Sequence, residues 1–294
     1  MRMLSVSDCG PSVGSNTSIS SNEPLSHSLN CLKMVRGRLN LVEGSNIYEC
    51  RVDFLTGKRT RGDISARSFV KLIFGAEIKF DEGLSLIKAY RNVNVSYYRK
   101  LETELSHCLF NYLKGNYLHS FLHFYRSIEK LSASFPLTYI SAKNDFEKSV
   151  DDLRKFFNDE KGELAFSAKF SEFLSESRTE LKTLTIDFNT KYKNVDDFDK
   201  LSNEITSCCP GFIEDTLDTS NGTFSVSFNR VVPFVIECRN RLFHFSKSGQ
   251  RNFDIDRMGG PNELCRMLVE GGMNWVTISL DEIWRRQVSR IVFV

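Results

Sequence analysis

The stretch "ECRNRLFHFSKSG" (237–249) sets Arg239, Asn240 and His244 close together among apolar residues. Their chemistries are complementary. Histidine titrates near neutral pH, so His244 can take or give a proton. Arginine presents a planar, permanently charged fork that fits phosphate oxygens, so Arg239 can stabilise charge growing at phosphorus. The Asn240 amide transfers no proton, but it can orient His244 or hold a phosphate. Together the three have the chemistry to cleave a phosphodiester beside a 2′-hydroxyl, with that hydroxyl as nucleophile. Arg241, Lys247 and Arg251 could extend a phosphate track; equally, they could be a solvated helix end, where cations favour the C-terminal dipole.

A helix must position these groups. Pro233 suits its first turn, where a missing N–H costs little, and the pattern runs to about 246, before Gly249. At about 100° per residue, Val235, Cys238, Leu242 and Phe245 form a core stripe. Ile236, Arg239, Asn240, Phe243 and His244 fall on the other side. Asn240 and His244 are four apart and can touch. Arg239 and His244 are five apart, roughly 140° around an ideal helix, so they do not converge easily within one chain. Ile236 and Phe243 lie between them as a second apolar patch. A two-fold contact through that patch predicts a homodimer with both motif copies at one cleft. The bland alternative is an amphipathic helix with stray polar groups.

The Arg-Asn-x3-His pattern of Arg239, Asn240 and His244 resembles the Arg-x4–6-His motif of the HEPN superfamily. Composition alone would produce the tight form about 0.02 times in such a chain, whereas a looser spacing is expected about once. The resemblance covers roughly 95–290 in architecture and six residues in sharp motif. It implies a helical bundle that dimerises around the motif. It also implies a metal-independent endoribonuclease without cofactor, leaving a 2′,3′-cyclic phosphate and a 5′-hydroxyl. The associated roles are toxin or anti-phage effectors with an inhibitor or sensor protein as partner. A non-catalytic HEPN-like module that binds nucleotide, RNA or a protein is the alternative, and a plain helical scaffold is the third reading.

The remaining sequence supplies the frame. Residues 1–28, rich in Ser and Asn, read as a disordered or loosely ordered tail. Residues 29–84 read as a small β-containing element, in which Ile47, Tyr48, Val52 and Phe54 precede a break at Thr56-Gly57. Lys58, Arg59 and Arg61 at its tip read as a solvated turn. Residues 85–294 read as the HEPN-like helical domain. Leu101, Leu105, Cys108/Leu109 and Tyr112 make one helical stripe. Tyr117, Phe121, Phe124/Tyr125, Ile128 and Leu131 make another after the break at 114–116, predicting an antiparallel pair. Further helices are expected at about 143–158, 163–190, 196–207, 261–270 and 273–288, with an extended piece at 221–229. The fold class is therefore mainly α with a small N-terminal β element.

Other constellations are weaker. His119 and His123 are four apart like a zinc pair, but Ser120 follows His119 and no third ligand is indicated, so they read as partly buried histidines. Glu129 could orient Arg239, although a surface role is the simpler reading. Nucleotide-binding Gly-rich loops and a hydrolase nucleophile elbow are absent, and "MGGPNE" and "EGGMNW" read as helix punctuation. The formal charge is +2, from 39 basic and 37 acidic residues, so RNA contact must come from local charge. Eight cysteines without paired ligand spacing, no signal-like start and no membrane-length apolar run predict reduced thiols, a cytoplasmic location and no membrane partner.

Overall fold

The computed structural model describes residues 4–8, 27–60, 66–75, 77–90, 93–140, 145–158, 166–192, 194–213, 215–243 and 251–291. Over these residues the chain is mainly helical, with three small antiparallel sheets. Strand β1 (Ser5–Asp8) lies within the segment expected to be a tail and pairs with β2 (Leu39–Glu43). β2 in turn pairs with β3 (Asn46–Cys50), with Leu41 opposite Tyr48. The hairpin at 52–59 is a short ribbon, β4 (Val52–Asp53) and β5 (Lys58–Arg59), whose two cations are exposed. Arg61 lies outside the described residues.

The N-terminal 29–84 region also holds helices that the reading of a β element omitted. Helix α1 (His27–Val35) is buried along almost its whole length and packs on later helices. α2 (Ala66–Phe74) and α3 (Phe80–Tyr90) follow. A buried ion pair, Arg36 Nε to Asp53 Oδ1 at 2.9 Å, ties the end of α1 to β4.

Next comes the expected antiparallel pair, α4 (Val95–Leu113) and α5 (Tyr117–Ser132). Gly115, at φ 76°, takes the left-handed conformation that ends α4, and Asn116 N–H donates back to the Asn111 carbonyl at 2.9 Å. The α5 stripe of Phe121, Phe124, Tyr125, Ile128 and Leu131 is buried. Short helices α6 (Phe135–Ile140), α7 (Phe146–Asn158) and α8 (Phe166–Ser177) lead to a 3-10 turn at Thr179–Leu181.

Residues 163–190 do not continue as helix. Thr185–Asn189 forms β6, because Ile186 and Phe188 alternate with polar residues and find a partner in β7 (Thr223–Ser227). Phe188 and Phe224 stack across this ribbon at 5.2 Å. The expected extended piece at 221–229 is thus half of a sheet. Between the strands, α9 (Val195–Cys208) is capped by the Asn194 side chain, which accepts from Asp196 N–H at 3.1 Å.

The motif helix is α10 (Val231–Phe243), and α11 (Asn262–Ile291) is the last described element. α11 is one continuous helix, where a break was expected at Gly271-Gly272. The glycines are there for close packing. A Cβ on Gly271 would stand 2.6 Å from the Phe188 ring, and one on Gly272 would stand 2.1 Å from the Phe124 ring. Most of α11 is buried, including Trp275 and Trp284, and it packs on α5, β6, α1, α3 and α10. Gly259 and Gly260, both at positive φ, do punctuate the entry to it.

Candidate functional site

Helix α10 presents two faces, as its spacing requires. Val231, Val232, Phe234, Val235 and Cys238 are buried, while Leu242 is half-buried. On the other side, Arg239 and Asn240 are half-buried. The Arg239 guanidinium lies over the Tyr125 ring of α5, 5.0 Å from its centroid, and its Nη1 donates to the Asn240 amide oxygen at 3.2 Å. One turn further on, Phe243 lies nearly parallel to Phe121 of α5 at 6.3 Å. The register of these contacts, 239 on 125 and 243 on 121, sets α10 antiparallel to α5.

Tyr125 is therefore the floor beneath the motif arginine. Burial raises its hydroxyl pKa above the ordinary value; Arg239 opposes this and Glu129 adds to it. Glu129, half-buried on the same helix, thus acts on the same ring as Arg239. The sequence shows Phe121 and Tyr125 as members of an apolar stripe. It carries no signal that α10 is the helix laid across them, because that pairing is set by chain topology.

His244 and Lys247 lie outside the described residues, as does Phe245. Asn240 and Arg239 are brought together, and α10 ends at Phe243, next to His244 in the chain. Arg241 and Arg251 have partners within the fold. Arg241 pairs with Glu237 one turn earlier, and its Nη1 donates to the Arg251 carbonyl at 3.3 Å. Arg251 binds buried Glu204 of α9 at 2.5 Å, and Glu204 also accepts from Asp254 N–H at 3.2 Å. These contacts hold residues 251–254 against α9 and α10.

The second apolar patch divides. Ile236 is half-buried and packs on the core, whereas Phe243 is 39% exposed. Leu122, beside Phe121 on α5, is 40% exposed. Phe243 therefore exposes apolar surface one turn beyond Arg239 on α10, and Leu122 exposes more on α5.

The histidine pair resolves differently from its spacing. His119 is exposed, and His123 instead meets His107 of α4, with Glu104 and Arg126 nearby. No group of three or more His, Cys, Asp or Glu among the described residues is placed to hold a metal ion. The described cysteines are free thiols, buried, with Cys209 and Cys238 Sγ atoms 3.9 Å apart behind the motif helix. Burial pushes the Cys108 and Cys265 thiols up to about 12. No described helix is long and apolar enough to cross a membrane.

Comparison with protein-family models, with curated proteins and with solved structures found no match to this chain.

Proposed function

We propose that the chain is a HEPN-like endoribonuclease that cleaves RNA through its own 2′-hydroxyl, without metal or cofactor. Arg239, Asn240 and His244 form the site. The observation that carries this reading is the setting of Arg239: off the core stripe of α10, supported on the Tyr125 ring, with the Asn240 amide against its guanidinium. A guanidinium is a planar fork of five N–H donors, so one held against a ring has the geometry that phosphate oxygens call for.

In the proposed reaction, His244 takes the proton from the 2′-hydroxyl or gives one to the leaving 5′-oxygen. Arg239 stabilises the charge that grows on the phosphoryl oxygens. Asn240 orients the imidazole or the phosphate. The second acid–base group comes from the other copy of the chain in a homodimer, since residues five apart on a helix diverge. The exposed ring of Phe243, one turn beyond Arg239 on α10, supports a contact there. The biological reading is a cytoplasmic toxin or anti-phage effector held in check by an inhibitor or sensor protein.

The test is incubation of the full chain with mixed RNA in EDTA, with analysis of the product ends. We expect 2′,3′-cyclic phosphate and 5′-hydroxyl ends, resistance of DNA, and loss of about 10²–10³-fold in rate for Arg239→Ala and for His244→Ala. Wild-type rates in either folded variant, or activity that vanishes in EDTA and returns with magnesium, would overturn the reading.

A further inference from the structure

The α4–α5 pair carries a second cluster of ionisable side chains, of which the proposed cleavage makes no use. His107 of α4 and His123 of α5 lie face to face, ring centroids 5.0 Å apart and planes 23° from parallel. Nδ1 of His123 is 2.8 Å from Oε2 of Glu104, within hydrogen-bond reach of the carboxylate, and Nε2 takes no part in that contact. Arg126 Nε stands 3.4 Å from the other oxygen of the same carboxylate, and the Arg126 side chain is 58% exposed. Three groups able to carry positive charge thus share a single buried carboxylate.

The two helices also bury Leu101, Leu105, Cys108, Phe121, Phe124 and Ile128, so their packing does not rest on this cluster. The cation-rich cluster instead works against itself. Burial first, and His123 second, hold the His107 imidazole below the usual histidine range; Arg126 adds to this, and Glu104 opposes it. An anion placed among the three would reverse the balance, because it favours the protonated imidazole.

We propose that His107, His123 and Arg126 form a binding site for a phosphate group, and that His107 takes up a proton as the anion binds. Inorganic phosphate, a nucleotide phosphate and a polynucleotide backbone share this chemistry. His123 lies two residues before Tyr125 on α5, roughly 200° around the helix, so a phosphate held here would sit on the far side of α5 from the ring that supports Arg239. The site is therefore separate from the proposed cleavage site, and phosphate binding does not depend on the ribonuclease reading.

The experiment is a nuclear magnetic resonance pH titration of the His107 and His123 ring protons in the full chain. It compares chloride, inorganic phosphate, a mononucleotide and a 2′-deoxy oligonucleotide at equal ionic strength. We expect phosphate to raise the His107 midpoint by about one pH unit relative to chloride. The rise should vanish in His123→Gln and shrink in Arg126→Gln, whose exposed side chain can be changed without disturbing the core. A response to the oligonucleotide at lower concentration than to phosphate or mononucleotide assigns the site to a polynucleotide backbone; the opposite order assigns it to a free phosphate. Identical midpoints in chloride and in all three phosphate probes would overturn the proposal. Arg239→Ala should keep the full phosphate response, so failure of the cleavage reading and failure of this site are read separately.

Discussion

Helices α10 and α11 both carry charged side chains among apolar ones, and both hold i,i+4 ion pairs, Arg241 with Glu237 on α10 among them, but Arg239 of α10 is set differently from the charges of α11. On α11, Arg266 is almost fully buried and engages Glu263, Glu270 and the Asn189 carbonyl. Further along, Asp281 pairs with Arg285 at 2.9 Å, and Glu282 with Arg286 at 2.7 Å. Each charge is answered by a carboxylate, guanidinium or carbonyl fixed within the fold. On α10, Arg239 rests on an aromatic face beside an amide, one turn before the exposed ring of Phe243. Buried charges with dedicated partners resist change, since removing one partner leaves the other unpaired in a poor solvent. The Arg239 guanidinium is instead half-buried, against a ring and an amide oxygen. The contrast separates a charge held by opposite charge from one held by an aromatic face, and the second kind is the one the proposed site uses.

The hardest blow to the α11 side is Arg266→Ala. It takes the guanidinium from Glu263, Glu270 and the Asn189 carbonyl together, leaving Glu270 with Tyr112 and Lys191 and Glu263 with the Lys191 N–H, and we expect a loss of about 3–5 kcal/mol. Thermal and urea unfolding measure this. A loss under about 1 kcal/mol would mean that water replaces the guanidinium, and α11 would then not differ from α10.

Gly272→Ala should come next. Alanine improves helix propensity by about 1 kcal/mol, yet its Cβ would stand 2.1 Å from Cζ of Phe124. Overlap of that size should win, for a net loss of about 1–3 kcal/mol. Phe124→Leu, combined with Gly272→Ala, should recover part of that loss relative to the sum of the two single variants. Purely additive losses in this cycle would locate the strain elsewhere.

A smaller effect should appear in acid. Burial pushes the Glu270 carboxyl up, but hydrogen bonds from Arg266 and Tyr112 outweigh it and hold the pKa below the ordinary 4.5. A carboxylate with a depressed folded-state pKa contributes stability above its unfolded pKa and loses it as pH falls through the folded value. Melting temperature should therefore fall more steeply below about pH 4.5 in the wild type than in Glu270→Gln. Parallel curves for the two proteins would remove Glu270 from the account of acid sensitivity.

How far the sequence discloses all this depends on the range of the interaction. The α4–α5 hairpin was legible because its stripes and the Lys114-Gly115-Asn116 break are local. The core face of α10 was legible for the same reason. β6 was missed because Thr185–Asn189 becomes a strand through pairing with Thr223–Ser227, more than thirty residues away. The continuity of α11 was missed because Gly271-Gly272 looks like a stop until Phe188 and Phe124 are seen to fill the space. Arg239 and Asn240 were named from spacing alone. Tyr125 beneath them was not, nor was His107 opposite His123, since both require knowing which helices are neighbours. The internal ion pairs of Arg241 and Arg251 were equally hidden, although both residues had been considered for a phosphate track.

The smallest effect on the fold, and the sharpest test of the α10 side, is expected from Phe243→Glu. The ring stacks on Phe121 but is 39% exposed, so a glutamate there can turn its carboxylate to water in a single chain. Lost ring contact should cost no more than about 1 kcal/mol, far less than truncating a buried aromatic of α11 such as Trp275. In a two-fold contact the same carboxylate would be desolvated against an apolar surface and its own symmetry mate, which is costly. Light scattering should therefore report a dimer for the wild type and a monomer for Phe243→Glu, with melting temperature nearly unchanged and RNA cleavage lost. A wild type that is monomeric at working concentration and fully active would show that one chain completes the site. A variant that loses several kcal/mol would show that α10 depends on Phe243 as α11 depends on its buried aromatics, and the contrast between the two helices would then fail at this residue.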